Sequence, residues 1–437
     1  MGRVRIKGPQ KDRKSGYYNL DLETMPKSER LMYQNKLLAD FISHAYQYST
    51  AIKKRFDKYN INPKDISSLT DLQRLPTFNR HNLRELQKNC LPFGGLLATN
   101  IHEIDKIFVS PGPIYDPEGK ISDYWHGLKA LYTMGFRRGD LVQNCFSYHL
   151  GPGGSMLEKS LLGLGCKVIP MGPGNRELQV RVMRDLSVIG YTGNPSFFIE
   201  ILDTIEAMNL KIPGEINLEI AYLAGEILDN NQRHDAEFRY GIMIRQAYGT
   251  GDAGFIAYEC GFGNGMHVDE RVILEIIDPE TEKPLPPGQK GEVVVTVMRK
   301  QYPLIRMNLG DIGIWNDEPC GCGRTSPRLM QIFGRSDQSV RVKGIFLHPW
   351  ELDEMARKIP ELGHYQLVIT KEGNIDKLIF RAEWKEKTPE KQKSALIKLE
   401  NYIKEDLRLK AKVELVSGDF FLKKYKVIDD RRETIEK

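Results

Sequence analysis

Leu141-Val-Gln-Asn-Cys-Phe146, Lys167-Val-Ile-Pro-Met171, Val188-Ile-Gly-Tyr191, Leu218-Glu-Ile-Ala-Tyr-Leu223 and Ile242-Met-Ile-Arg-Gln-Ala247 follow one another through the middle of the chain as short apolar runs. A similar run at 107–109 precedes them, and helical patterns at 179–186 and 196–208 separate them. Short apolar segments alternating with helices are the signature of a parallel sheet wrapped by helices.

Working towards the N-terminus, Leu37, Leu38, Phe41, Ile42, Ala45 and Tyr46 recur at helical spacing, so 21–60 reads as helices. Ser68 and Thr77 are N-cap candidates in 66–86. Towards the C-terminus, 272–277 and 291–298 read as antiparallel strands around a turn-rich 278–288. A break near Gly334 is followed by strand patterns at 339–342, 367–370 and 378–384 and helix patterns at 350–358 and 391–406. The expected fold is α/β. A large N-terminal domain, residues 1–334, holds helix-flanked, mostly parallel sheets plus a small β-rich subdomain. A small, mobile α+β lid domain follows, residues 335–437.

The 437 residues are 41% hydrophobic and 28% charged, a globular balance with room for two or three domains. The net charge of +5 is spread along the chain. Arg3, Arg5, Lys7, Lys11, Arg13 and Lys14 form a basic N-terminal run that reads as a solvated tail, so no nucleic-acid partner is expected. No apolar run has the length of a membrane span, and no hydrophobic signal core opens the chain. Ile6 stands where a myristoylation signal needs Ser or Thr. Six cysteines in such a chain suggest metal ligands or free thiols in a reducing cytoplasm.

Three polar segments carry the chemistry. Tyr302-Pro-Leu-Ile-Arg-Met-Asn-Leu-Gly-Asp311 reads as a loop after a strand. Its carboxylate could take a ribose diol, and Arg306 could hold a phosphate in a fork. A surface turn with a structural ion pair is the plain alternative. Gly334-Arg-Ser-Asp337 lies at the domain break, where a few residues can absorb a hinge rotation. Tyr248-Gly-Thr-Gly-Asp252 ends a strand and so is placed to face a ligand.

In this order, with Tyr18-Asn-Leu-Asp-Leu-Glu-Thr-Met-Pro26, Leu91-Pro-Phe-Gly94, Glu275-Ile-Ile-Asp-Pro279, Cys322-Gly-Arg-Thr325 and Val427-Ile-Asp429, these segments resemble the core motifs of the adenylate-forming superfamily, in its phenylacetate–coenzyme A ligase branch. The resemblance covers nearly the whole chain. It implies a two-step reaction in which a carboxylic acid and ATP give acyl-adenylate and pyrophosphate. Coenzyme A then displaces AMP to form a thioester. Mg²⁺ and cationic groups would neutralise the phosphates. Asp311 would hold the ribose, Arg335 the ribose or α-phosphate, and Asp337 the hinge. Gly225, Glu226, Tyr248, Gly249 and Thr250 would line the nucleotide and acyl pocket. Asp252 would replace a magnesium-binding glutamate, and Gly344 would meet coenzyme A. Tyr148, Tyr191 and Tyr248 favour a flat aromatic or arylacetic acid. A homodimer is expected from the branch.

The departures gather at the triphosphate. The phosphate loop reads Val109-Ser-Pro-Gly-Pro-Ile-Tyr-Asp-Pro-Glu-Gly-Lys120. Its prolines remove N–H donors, and Asp116 and Glu118 add like charge. Ser110, Gly112 and Lys120 remain as phosphate contacts. Gly251 replaces a Ser or Thr, and Asp252 is a methylene shorter than glutamate. The catalytic lysine segment is shortened to Gly418-Asp-Phe-Phe-Leu-Lys-Lys-Tyr-Lys426. Counting back from Val427 gives Lys423, with Lys424 and Lys426 as rivals and a solvated basic edge as the plain alternative. These changes motivate a second expectation, a homologue impaired in adenylation that binds AMP, acyl-adenylate or coenzyme A.

Cys260, His267, Cys320 and Cys322 supply a Cys₃His set suited to a closed, structural zinc site. Reduced cysteines in a Gly-rich turn, with His267 bonded to a backbone carbonyl, are the alternative. Cys90, Cys145 and Cys166 read as ordinary buried thiols, and His149 as an acyl-pocket candidate.

Overall fold

The computed structural model describes residues 12–226, 228, 230–336, 340–342, 345–347, 349–372, 375–385, 388–421 and 426–432. The chain forms two compact units, Met1–Gly334 and Arg335–Lys437.

The first unit is organised by one twelve-stranded mixed sheet. Its parallel part runs Lys167–Pro170, Leu141–Asn144, Gly190–Gly193, Ile220–Leu223 and Met243–Thr250. Neighbouring residues in these strands face opposite sides. Ala221 and Leu223 therefore pack with Val180, Phe198 and Ile201 of the helices Arg176–Asp185 and Pro195–Ala207. Ile220 and Tyr222 pack on the other face with Leu131, Leu157 and Leu161 of Gly127–Met134 and Gly153–Leu164. Full burial of each such side chain is worth about 1.5–3 kcal/mol. The β-rich part continues the same sheet: Gly254–Glu259 turns back antiparallel on Met243–Thr250.

The antiparallel part corrects one expectation. Leu304–Asn316 is a single 13-residue strand, so Asp311 lies within a strand and not at the end of a loop. It pairs antiparallel with Gly291–Val297 and parallel with the short Phe78–Asn79. The helices Lys27–Tyr48 and Thr50–Lys58 close over this region through Leu38, Phe41, Ile42, Ile52 and Phe56. Ser68 does cap a helix, but Thr77 does not: its hydroxyl and N–H go to Glu282, and Asn79 caps Arg80–Asn89 through a reciprocal pair with Asn82.

The second unit has a four-stranded sheet in the order Lys412–Val416, Ile375–Trp384, Leu362–Glu372, Ile428–Asp430. Leu378, Phe380, Ala382 and Trp384 alternate inward and meet Leu352 and Met355 of Pro349–Arg357 and Leu399 and Ile403 of Pro389–Asp406. Among the described residues, no helix is long and apolar enough to cross a membrane.

Candidate active site

Four segments distant in sequence converge in the first unit. The Asn79 cap fixes Arg80 as the first residue of its helix. From there Arg80 grips Asp252 with Nε at 3.1 Å and Nη2 at 3.3 Å. Asp252 lies in the turn between Met243–Thr250 and Gly254–Glu259 and is buried. Its Oδ1 also accepts from the Thr250 hydroxyl and from the Ala253 N–H at 2.9 Å. Tyr248, on the same strand as Thr250, donates its hydroxyl to Asp311 Oδ2 at 2.5 Å. The fourth segment is the hairpin Ile104–Ser110 and Ile114–Gly119, in which the Ser110 hydroxyl donates to Asp116. A Cβ on Gly251 would stand 3.1 Å from Ser110 Oγ and 2.9 Å from Pro152 Cγ. The missing Ser or Thr at 251 therefore has a local cause, since Pro152 and Ser110 already crowd that place.

The site is electrostatically tense. Burial works against the Arg80 charge, but Asp252, then Asp311 and Asp116, hold its pKa above the ordinary guanidinium value. Burial alone would raise the Asp252 carboxyl, yet Arg80 outweighs it and holds it low. Asp116 has no such partner: burial, followed by the charge of Asp252, pushes its carboxyl up to about 7. Arg299 donates Nη2 to the Asp252 carbonyl at 2.6 Å and lies over the rings of Tyr124 and Trp125 at 4.3 and 5.5 Å. Sequence reading missed both arginines. The Asn79-x-x-Asn82 spacing was a usable signal for Arg80, whereas nothing local marks Arg299.

The other expected residues fall as follows. Gly112 has a φ of 154° in the hairpin turn. Gly249 is required because a Cβ would press to 2.4 Å on the Gly254 carbonyl. Glu226 follows Gly225 and caps the helix Pro195–Ala207, accepting from the Ser196 N–H at 3.1 Å. Arg335 ends the strand Arg328–Arg335. Asp337, Gly344, Lys423 and Lys424 lie outside the described residues. Lys426 is described, and its carbonyl accepts from Gln366 at 2.9 Å.

Several readings are corrected. Arg306 is not a phosphate fork. It is 1% exposed and bonds Glu275 and the carbonyls of Leu75 and Glu282. Glu118 does not repel a phosphate. It accepts from Trp125 Nε1 at 2.6 Å and lies 3.4 and 3.7 Å from the ammonium groups of Lys106 and Lys159. Tyr191 is a core residue against Phe198, and His149 is exposed. Cys90 is exposed, while Cys145 and Cys166 are buried. Arg13, read as part of a tail, is tied to Asp140 and Glu219.

A second cluster lies in the loops around Met266–Val268. The ligand atoms of Cys260, His267, Cys320 and Cys322 are all within 4.8 Å of one another. Cys260 and Cys320 sulfurs are 3.8 Å apart, and Cys322 Sγ is 3.4 Å from His267 Nε2. A tetrahedron with zinc–sulfur bonds of about 2.3 Å and a zinc–nitrogen bond of about 2.0 Å has edges close to these lengths. His267 Nδ1 faces Ser326 Oγ at 3.2 Å, not a backbone carbonyl. Such an outer partner fixes the ring with Nε2 towards the sulfurs.

With this geometry in hand, known proteins locate the chain. Residues 344–432 match the AMP-binding enzyme C-terminal domain family. A phenylacetate-coenzyme A ligase of Thermus thermophilus is 28% identical, over 84% of each chain. One of Aromatoleum evansii is 28% identical over 90% of this chain and 92% of its own. Over most of its length the chain is thus similar to the phenylacetate–coenzyme A ligase branch of the adenylate-forming superfamily. It is thereby an enzyme of the acid–thiol ligase class. Among solved structures, a 2-hydroxyisobutyryl-CoA ligase in complex with 2-HIB-AMP and CoA superposes with a TM-score of 0.88 at 25% identity, covering 95% of this chain and 93% of that one.

Proposed function

We propose that this phenylacetate–coenzyme A ligase homologue uses ATP to activate an aromatic or arylacetic acid as its acyl-adenylate and passes the acyl group to coenzyme A. The observation that carries the reading is the convergence of Tyr248–Asp311, Arg80–Asp252 and the Ser110 hairpin in one unit of a chain whose other unit matches the family's C-terminal domain. Asp311 would accept the ribose hydroxyls, with Tyr248 fixing its orientation. The hairpin turn at Ser110 and Gly112 would meet the phosphates, with the Gly112 N–H among its donors. Arg80 holds Asp252 in place and keeps it ionised. Asp252 Oδ2 has a single bond from Arg80 and so retains a lone pair for the Mg²⁺ that accompanies ATP. The bound ion would neutralise phosphate charge. In the same scheme Asp337 serves as the hinge, the Gly344 segment meets coenzyme A and Lys423 assists adenylation.

The impaired homologue is the less favoured reading, because relatives that match over most of the chain are ligases. An aromatic acid rests on their names and on Tyr148 and Tyr248 near the glycine-rich turns. None of the six cysteines is in a disulfide, which suits a cytoplasmic enzyme. A homodimer is part of the proposal, and sedimentation of the purified protein tests it.

The deciding experiment is calorimetric titration with ATP·Mg²⁺ and with AMP, followed by acid-dependent pyrophosphate release across a panel of aromatic, arylacetic and small hydroxy acids. Release with arylacetic acids and not with hydroxy acids supports the reading. AMP binding with no ATP binding overturns it in favour of the impaired homologue. The Cys₃His set is proposed to hold one structural zinc. Elemental analysis should find about one zinc per chain, and a Cys320→Ser variant that keeps full zinc would refute the site.

A further inference from the structure

Asp116 and Glu118 lie on the same face of the strand Ile114–Gly119, and both are buried. Glu118 is fully employed by Trp125, Lys106 and Lys159. Asp116 is not. Among the described residues only Oδ2 is bonded, by the Ser110 hydroxyl, while Oδ1 is buried with no hydrogen-bond partner. A half-satisfied buried carboxyl is costly, so packing alone does not account for it.

Its surroundings give it another role. Residues 110–114 read Ser-Pro-Gly-Pro-Ile, and the Ser110 hydroxyl is the one side-chain donor in that turn. Pro111 and Pro113 have no N–H to offer. The charged groups that act on Asp116 are Asp252, Arg80 and Arg299. The phenols of Tyr124 and Tyr302 lie within its field as well. Among the described residues Arg299 Nε and Nη1 are buried with no hydrogen-bond partner. The carboxyl thus holds the hairpin's hydroxyl in a setting that contains two guanidinium groups, the position an anionic ligand of the hairpin would want.

We propose that Asp116 is a resident competitor for the triphosphate: it occupies the Ser110 hydroxyl, places an acidic group beside the phosphate hairpin, and so sets a weak affinity for ATP without touching that for AMP. This rests on the ligase reading above, and AMP provides the means to separate the two. Asp116 is an affinity-determining residue and takes no part in the bond-making steps. Its consequence is an enzyme whose turnover follows ATP concentration more steeply than its response to the acid or to coenzyme A.

The test is a double-mutant cycle on the full-length protein, reading ATP·Mg²⁺ and AMP affinities by calorimetry. Asp116→Asn removes the charge and keeps an acceptor for Ser110, with nearly unchanged shape. Asp116→Ala also frees the hydroxyl. At pH 8, where a carboxyl raised to about 7 is ionised, both are expected to bind ATP about tenfold tighter than wild type, Ala at least as tightly as Asn, with AMP unchanged. In steady state the gain should lie in KM for ATP, with kcat nearly constant. Ser110→Ala should cost ATP affinity less than about twofold in wild type but several-fold in the Asp116→Ala background, because only there is the hydroxyl free for phosphate. Unchanged or weaker ATP binding in both Asp116 variants, with AMP binding intact, overturns the proposal. A Ser110→Ala effect of the same size in both backgrounds also overturns it. A wild-type protein that binds neither nucleotide removes the ligase reading and this inference together.

Discussion

Arg306 and Asp311 sit on one strand and do opposite work. The Arg306 guanidinium is spent inside the protein, on Glu275 and on carbonyls of Leu75 and Glu282. Burial raises the Glu275 carboxyl, and Arg306 offsets part of that rise. Replacing Arg306 by Leu strands that carboxyl and several buried acceptors, at a cost of about 3–5 kcal/mol. Asp311 is bonded through Tyr248, and its loss removes a proposed ligand group. The expected outcome is a clean split. Arg306→Leu should lower the urea midpoint of the larger unit while the surviving folded fraction binds AMP as the proposal expects of the wild type. Asp311→Ala should cost at least about tenfold in AMP affinity with little change in the midpoint. Equal effects of both variants on both readouts would contradict the assignment. The sequence could not separate these roles, because a guanidinium fork suits a phosphate and a set of carbonyls equally well. What distinguishes them is Leu75 and Glu275, which the fold brings from distant positions. The Arg80–Asp252 pair escaped notice for the same reason, whereas Asp252 and Asp311 could be picked out by their motifs.

At the scale of elements, the helix Gly127–Met134 starts from a strained residue. His126 has a φ of 61°, is 3% exposed, and its Nδ1 has no hydrogen-bond partner among the described residues. Burial, then the positive charge of Arg271, holds its pKa well below the usual imidazole range, and Arg299 and Lys129 add to that effect against Asp269. The folded protein therefore keeps this ring neutral, whereas the unfolded chain protonates it below about pH 6.5. With more protons bound in the unfolded state, stability falls as pH drops, by up to about 1.4 kcal/mol per pH unit from this one group. A melting series from pH 7.5 to about pH 5 should show that loss. His126→Asn, which tolerates the left-handed backbone, should flatten it. An unaltered slope in the variant would assign the acid sensitivity to other groups. Element-level reading did well where apolar periodicity was strong, as in the parallel strands and the helix Arg176–Asp185. It failed for Leu304–Asn316, where Arg306, Asn308, Gly310 and Asp311 made a strand look like a loop. Those polar residues fit because each finds a bond: Arg306 with Glu275, Asn308 with Glu292, the Gly310 N–H with Asn308 Oδ1, and Asp311 with Tyr248.

For the whole molecule, the useful question is whether the two units are separate folding entities. Arg335–Lys437 has a closed core of its own: Phe380, Leu378, Ile369, Leu352, Met355, Leu399 and Ile403 pack between one sheet and two helices. A unit of about a hundred residues with its own core commonly folds alone. The residues proposed to hold the nucleotide, Asp311 and Tyr248 with Arg80 and Asp252, belong to the other unit. Expressed as residues 335–437, the smaller unit should unfold cooperatively in urea, with a slope fitting its size. Residues 1–334 should keep AMP binding within about threefold of the intact chain, since the proposed ribose contact is internal to it. Thioester formation should vanish in both fragments, because the proposed coenzyme A contact at Gly344 and the proposed catalytic Lys423 belong to the smaller unit. Recovery of acyl-CoA synthesis on mixing the fragments would show that the connection near Gly334 orders the two halves without supplying chemistry. A smaller unit that melts without cooperativity would mean that its core is completed only in the intact chain.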